Sequence, residues 1–339
     1  MNTAWFILLG GLLIGYAVLD GIDLGIGMLH LALGKTDGER RTNLNAIGPF
    51  WTGYEVWLVV AGGSMVAAFP HLYAVSFSGF YLVLILVLWL LIGRGVGIEF
   101  RSHIADPMWR GLFDVLFCVS SFLLAVLFGA AVGNVVRGVP LDATGNFQGS
   151  LALALNPYAI LVGLLSVALL AMHGANFLAF KTDGGDQQTR ARLWASRLWY
   201  GVAALTAAAT AASFFVRPVG ANFARYPFLT VLPLLALISL LAIPFFQRRG
   251  DDGKAVYAGA FLIGSLMASA GASLYPLLLP DLGHPGEGLS IFNSAAPHHS
   301  LELAFIANVI GMVFVIGYHI VIHRIFRGTV QIRPGEHGY

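Results

Sequence analysis

Leu19-Asp20-Gly21-Ile22-Asp23-Leu24-Gly25-Ile26-Gly27 closes the first apolar run of the chain, which covers about 4–30. A helix rises ~1.5 Å per residue, so a run of this length crosses the ~30 Å of hydrocarbon in a bilayer. Two carboxylates three residues apart share one helix face. A carboxylate facing lipid costs roughly 2.5–3.5 kcal/mol on insertion scales, so the pair must face protein or a water-filled path. Two such neighbours cannot both ionise cheaply, which makes Asp20 and Asp23 a candidate proton-handling site. The alternative is that both lie near the headgroups and hydrogen-bond the helix end and the next loop. Spacing alone leaves both readings open.

The composition extends this reading to the whole chain. Of 339 residues 58% are hydrophobic and 11% charged, with a mean hydropathy of +0.78. Soluble domains carry about 25% charged residues, so this is a polytopic helical membrane protein with no soluble domain of useful length. The single cysteine, Cys118, excludes an intrachain disulfide and a cysteine-based metal site. No basic residue precedes the first apolar run, so the N-terminus is expected to be a retained span and not a cleaved signal.

Nine segments reach spanning length, at about 4–30, 50–69, 73–97, 111–136, 156–180, 194–216, 227–247, 255–279 and 301–325. Sixteen of the nineteen Lys and Arg fall at the ends of odd-numbered spans or in the C-terminal tail. By the positive-inside rule this split puts the N-terminus outside and the C-terminus in the cytoplasm. It also supports nine spans, because a missed helix would scramble the alternation. The tail after Arg333 is short and polar and is expected to lack ordered structure.

Several polar positions collect toward the cytoplasmic half. The first loop carries Thr36-Asp37-Gly38-Glu39-Arg40-Arg41, acids before bases, the pattern of a helix start. Span 2 opens Trp51-Thr52-Gly53-Tyr54-Glu55-Val56-Trp57, whose aromatics fit an interfacial belt. Glu55 lies about one turn inside and needs a partner, and Thr52 shares its face. With Asp20 and Asp23 these groups can form one wet cluster. Arg94, near the end of span 3, either neutralises one of the acids or snorkels to the headgroups. Asp114 begins span 4, where a first-turn acid complements the helix dipole. His173 in span 5 invites a haem-ligand reading but has no visible partner, so a satisfied polar contact is expected. His319 and His323 stand four apart at a basic surface without a carboxylate, which argues against metal. The loop from Asp281 to Ser300, with His284, Glu287, His298 and His299, is expected to be irregular and external. No P-loop, dinucleotide fingerprint, zinc-protease pattern or nucleophile elbow is present, and nothing points to nucleic acid.

The chain resembles subunit II of the cytochrome bd-type quinol oxidases over its full length, most closely in the first half. The residues that carry the likeness are Asp20-Gly21-Ile22-Asp23-Leu24-Gly25-Ile26-Gly27, Glu39-Arg40-Arg41, Asn45-Ala46-Ile47-Gly48-Pro49, and Trp51-Thr52-Gly53-Tyr54-Glu55-Val56-Trp57-Leu58. Phe77-Ser78-Gly79-Phe80-Tyr81, Arg94 with Gly97-Ile98-Glu99-Phe100-Arg101, and Gly133-Asn134 with Gly138-Val139-Pro140 continue it. Beyond residue 150 it thins to Leu155-Asn156-Pro157 and His173-Gly174-Ala175-Asn176-Phe177-Leu178.

The resemblance implies one all-α integral membrane domain. It has a four-helix bundle over about 4–136, a second over about 156–279 and a peripheral helix over about 301–325. It implies a bacterial or archaeal cytoplasmic membrane and a partner, subunit I, which carries haem b and haem d, oxidises quinol and reduces oxygen to water. This chain then ligates no haem or metal and holds no catalytic residue of its own, and His173 is demoted as a ligand. In some members subunit II binds a structural quinone, and a small single-span subunit joins the complex. Carried over, Asp20 and Asp23 match an acidic pair, Glu99 an acid ending span 3 and Asp114 an acid starting span 4. Family members taken as proton-path models have aspartate where this chain has Thr52 and an uncharged amide where it has Glu55. On one helical face, Glu55 can supply the carboxylate that Thr52 lacks. The expected path runs from Glu99 and the Asp20/Asp23 pair through Glu55 and Thr52 toward subunit I, tuned by Arg94 and Asp114. The rival from another class is an ion-coupled permease using the same acids as a coupling site. A third reading makes the acids structural, fixing helix register.

Overall fold

The structure, a computed structural model, describes residues 1–142, 145–149, 151–284 and 286–330. The expectation for the tail after Arg333 lies outside these described residues. Helices follow in the order α1 (Asn2–Leu33), α2 (Asp37–Ile47), α3 (Trp51–Ala68), α4 (Pro70–Gly79), α5 (Tyr81–Phe100), α6 (Pro107–Arg137) and α7 (Leu151–Ala154). Then come α8 (Pro157–Lys181), α9 (Gly185–Val216), α10 (Gly220–Arg225), α11 (Val231–Arg248), α12 (Asp252–Leu274) and α13 (His298–Ile325). Strands β1 (Leu277–Pro280) and β2 (Gly288–Ser290) pair antiparallel between α12 and α13.

Eight helices among the described residues are long and apolar enough to cross a membrane. They account for every expected segment except the second. That one, α3, has the length but carries Trp51, Thr52, Tyr54 and Glu55 in its first turns and is less apolar than the others. Several boundaries differ from expectation. The third segment is cut at Phe80, because Phe69-Pro70 opens a separate short helix ahead of α5. The eighth stops at Leu274, where Tyr275-Pro276 ends the helix and the chain turns into β1. The loop expected to be irregular therefore contains a small sheet.

Local sequence explains the helix starts. Thr36 and Glu39 form a reciprocal capping box on α2. Asp106 caps α6 by accepting from the Trp109 amide at 2.8 Å, and Asn156 caps α8 by accepting from Ala159 at 3.0 Å. Pro107 and Pro157 occupy the first turn, where no amide hydrogen is needed. At the other end of α6, Gly138 takes φ 92°, a left-handed turn that lets Val139 pair with the segment between α12 and α13 through Pro280 and Leu282.

Two helices sit at the centre. Residues 20–27 of α1 and 168–179 of α8 are buried on every side, as a helix without a polar face requires. α1 packs on α3, α6, α8 and α12; α8 packs on α1, α6, α9 and α12; α13 lies outermost against α3. α1 and α8 meet backbone to backbone at Gly25 and Gly174. A Cβ on Gly25 would lie 2.0 Å from the Leu170 carbonyl oxygen, and one on Gly174 would lie 2.5 Å from the Gly25 carbonyl carbon. Small residues of this kind are what allow close helix approach in lipid. Gly25→Ala or Gly174→Ala should therefore cost about 1–3 kcal/mol or more by overpacking, read as a lower thermal midpoint. Gly11→Ala, with nothing within 4 Å of the new methyl, should be neutral or stabilising. Equal behaviour of the three variants would disprove the close contact.

Candidate functional site

The acids of α1 face into the bundle. Tyr16, Asp20 and Asp23, at spacings of four and three, lie on one stripe of α1 and all are buried. Arg94 of α5, 0% exposed, reaches across to them. Its Nη1 donates to Asp20 Oδ1 at 2.6 Å and its Nη2 donates to Glu55 Oε1 of α3 at 2.7 Å. One guanidinium fork thus ties three helices. The Glu55 side chain is 31% exposed, so the cluster opens at the surface of α3. The second oxygen of Asp20, both oxygens of Asp23, Arg94 Nε and the Tyr16 hydroxyl have no protein partner among the described residues. Three carboxyls face one cation here, an excess suited to holding and passing a proton.

The expected residues divide accordingly. Asp20, Asp23, Glu55 and Arg94 come together. The snorkelling alternative for Arg94 is overturned, because its side chain is fully buried and divided between Asp20 and Glu55. Thr52 does not join them: it is exposed and its hydroxyl makes no hydrogen bond to a described residue. Glu99 is half-buried and makes no ion pair with a described residue. Tyr54 is wholly buried, so it is no part of an interfacial belt.

Asp114 belongs to a second cluster and does not serve the helix dipole. α6 starts at Pro107, which places Asp114 two turns in, beyond the first turn where the dipole acts. Asp114 accepts from His30 Nε2 at 2.8 Å, Arg40 Nη1 at 2.9 Å and Arg101 Nε and Nη2. Arg101 also donates to Asp37 at 2.9 Å, and Arg110 donates to Asp37 at 3.0 Å. Asn43 donates to His30, and Gln187 of α9 donates to Asn43 Oδ1 at 2.8 Å. Glu39 of α2 accepts from Arg190 and from the Lys35 and Thr36 amides. Burial pushes the Glu39 carboxyl up, but these donors outweigh it and hold the group below its ordinary value. The network clamps the short helix α2 over the ends of α1, α5, α6 and α9. Sequence reading missed His30, although it lies seven residues beyond Asp23 on the same stripe.

Four imidazoles inside the long helices, His30, His173, His319 and His323, are enclosed by the chain. Both ring nitrogens of His30, His319 and His323 lie within hydrogen-bond distance of protein atoms. His173 Nε2 faces the Val18 carbonyl at 3.2 Å, and its Nδ1 is closed in by Gly259. None of these four imidazoles presents a ring nitrogen with open space beside it, the condition for an axial haem ligand. In the segment between α12 and α13 His284 pairs with Asp281 at 2.7 Å, and at the start of α13 His298 pairs with Glu302 at 3.5 Å. No group of three or more metal-ligating side chains occurs among the described residues.

Comparison with known proteins supplies the family. The model of "Cytochrome bd terminal oxidase subunit II" matches residues 1–326. The chain is 34% identical to the probable cytochrome oxidase subunit 2 of Haemophilus influenzae, covering 94% of this chain and 92% of the relative. It is 32% identical to subunit 2 of the cytochrome bd-I ubiquinol oxidase of Escherichia coli, covering 89% and 88%. It is 33% identical to subunit 2 of the cytochrome bd ubiquinol oxidase of Bacillus subtilis, covering 98% and 97%. Its fold matches the bd oxidase structure from Geobacillus thermodenitrificans with a TM-score of 0.77 at 19% identity, covering 96% of this chain and 98% of that one. The resemblance first carried by the acid-rich end of α1 thus holds over nearly the whole length: the chain belongs to the family of subunit II of the cytochrome bd terminal oxidases, components of a quinol-oxidising respiratory complex.

Proposed function

We propose that this chain is the haem-free partner of a haem-bearing subunit I, that it stabilises that subunit, and that it lines a proton path from the cytoplasm. In this reading it crosses a bacterial inner membrane nine times, α3 included, with the N-terminus outside. α1 to α6 form one bundle, α8 to α12 the other, and α13 lies at the periphery. The exposed apolar faces of α5 and α9 are available to subunit I and to a small single-span subunit. An apolar furrow of about 380 Å³ bounded by Val18, Leu232, Tyr257 and Phe261 suits the tail of a structural quinone. Haem b and haem d sit in the partner and supply electron transfer and oxygen chemistry there; no step of this chain runs through them.

The observation that carries the path is the Arg94 fork, which joins buried Asp20 to a Glu55 that opens at the chain surface. Glu55 takes the place of the aspartate that the resemblance expects at Thr52. Water bridges the unpartnered oxygens of Asp20 and Asp23 to it, since buried polar atoms are nearly always satisfied by protein or water. Glu99 collects protons at the cytoplasmic surface. A transporter has no support: the family is an oxidase subunit, and the acids gather toward one end. The test is Glu55→Gln in the intact oxidase. Quinol-driven oxygen uptake should fall roughly tenfold or more, the lower scale of a proton-transfer group, while haem content stays normal. Normal turnover would sink the relay, and loss of haem would favour the structural reading.

A further inference from the structure

Along the buried stripe of α1 the side chains change character at Tyr16. Leu9 and Leu12 precede it on the stripe, and Asp20, Asp23 and His30 follow it, all buried. Tyr16 itself is 5% exposed, and its ring packs edge-on against Phe128 of α6 at 5.6 Å. Residues four apart on a helix are neighbours, with Cβ atoms about 5–6 Å apart, so Tyr16 stands beside Asp20. Its hydroxyl is turned toward that carboxylate. Asp20 is half satisfied: Arg94 Nη1 holds Oδ1 at 2.6 Å, while the buried Oδ2 has no protein partner among the described residues. The Tyr16 hydroxyl, equally buried, has none either. Atoms left in this way are nearly always met by protein or by water. Two such oxygens, one turn apart on one helix and shut off from solvent, are placed to satisfy each other, directly or over one water.

We propose that Asp20 takes up its proton on Oδ2, and that Tyr16 is the positioning residue for that oxygen and closes the polar cluster at the end away from the cytoplasm. The inference rests on the proton-path reading above. Chemistry excludes Oδ1: a guanidinium donates and stays charged, so a proton there would have to displace Arg94. Oδ2 has no such competitor. The phenol suits it in both states, because a hydroxyl can donate and accept. With Asp20 ionised, the Tyr16 O–H donates to Oδ2. A proton arriving over water adds to a lone pair of Oδ2; the new O–H donates to the Tyr16 oxygen, and the phenolic hydrogen rotates aside. Release of that proton to the next water restores the first state. Tyr16 keeps its own proton, one carboxylate is neutralised and regenerated, and no electron moves. Leu12 and Leu9, the next turns of the stripe, cannot carry a proton further along α1.

A purely structural role would have the Tyr16 ring fill the space beside Phe128, so the test separates hydroxyl from ring. Tyr16→Phe removes one oxygen and keeps the ring; Phe128→Leu removes the ring contact and keeps the hydroxyl. Quinol-driven oxygen uptake, haem content and thermal midpoint are measured on the intact oxidase, together with its reduced-minus-oxidised infrared spectrum. In that spectrum protonated Asp20 is the carboxyl C=O band that vanishes in Asp20→Asn. In Tyr16→Phe the band should move to higher frequency, as it does when a carboxyl loses a hydrogen-bond partner. Turnover should fall about threefold to tenfold, less than the ~10²–10⁴ of a proton-transfer group because Asp20 itself remains. Haem content should be unchanged, and Phe128→Leu should leave the band in place. An unmoved band in Tyr16→Phe, at full turnover or with a lowered thermal midpoint, would overturn the role of Tyr16, and a slowed Glu55→Gln would leave the path standing. A band moved equally by Phe128→Leu would also overturn it, in favour of packing. Full turnover in both Asp20→Asn and Glu55→Gln, with no carboxyl band lost in Asp20→Asn, would overturn the underlying path first.

Discussion

Replacing Arg94 with leucine is expected to leave almost no assembled oxidase in the membrane. The arginine is fully buried and divides its guanidinium between Asp20, also fully buried, and Glu55. Leucine removes the cation and strands both acids beside Asp23. Breaking a buried ion pair from one side costs about 3–5 kcal/mol, because the remaining charge is uncompensated. A typical domain has only ~5–15 kcal/mol in hand. The loss is therefore on the scale of folding itself and should be read as the yield of haem-containing complex after gentle detergent extraction. Arg94→Lys should assemble with lower stability, since a single ammonium lacks the planar fork that meets two carboxylates at once. The decisive variant is the double substitution Arg94→Leu with Asp20→Asn. If the cost lies in the unpaired charge, neutralising Asp20 recovers much of the yield, and the two changes are strongly non-additive. If Arg94→Leu alone assembles normally, the acids around it do not carry the charge assigned to them.

How much of this was legible before the structure depends on which residue is asked. The apolar runs and their basic ends are one-dimensional signals, so the segment positions follow from counting. The breaks at Phe69-Pro70 and Tyr275-Pro276 were equally present as prolines, but a hydropathy count passes over a single residue. The acids of α1 were legible because spacings of three and four fix a helix face without any partner. Partners were not legible. Asp20 and Arg94 are 74 residues apart, and nothing along the chain says that α5 crosses α1 at that height. Thr52 was placed with Glu55 because they share a face, yet that face is partly exposed, and only Glu55 is long enough to reach inward to Arg94. Hydropathy puts the start of α6 at about 111, four residues too late, and so makes the buried hub Asp114 look like a first-turn acid. His319 and His323 have no carboxylate nearby in sequence to mark them. Their partner is a tyrosine more than 260 residues away.

Asp114→Ala should release α2 from the bundle end and expose it to protease. Asp114 is fully buried and accepts from His30, Arg40 and Arg101 at once. Removing it leaves Arg101, about 1% exposed, with the half-exposed Asp37 as its remaining acid, and leaves His30 with Asn43 alone. The penalty again falls in the range of about 3–5 kcal/mol for a broken buried pair. Here it is focused on one element, because α2 is a short helix held to the bundle by Arg40, Asn43, Asp37 and Glu39 together with the buried Leu44 and Ile47. A local opening favoured by ~3 kcal/mol is populated roughly 10²-fold more often, and cleavage of an open segment follows that population when reclosing is fast. Trypsin should therefore cut after Lys35, Arg40 or Arg41 about 10²-fold faster in inside-out vesicles carrying Asp114→Ala than in wild type. Asp37→Asn makes the contrast: its carboxyl is 46% exposed, and an exposed pair contributes ~1 kcal/mol or less, so cleavage should rise only a few-fold. If the two variants are cut at the same rate, Asp114 is not the hub of the clamp. Cleavage in right-side-out vesicles, with none in inside-out ones, would reverse the orientation read from the basic loops.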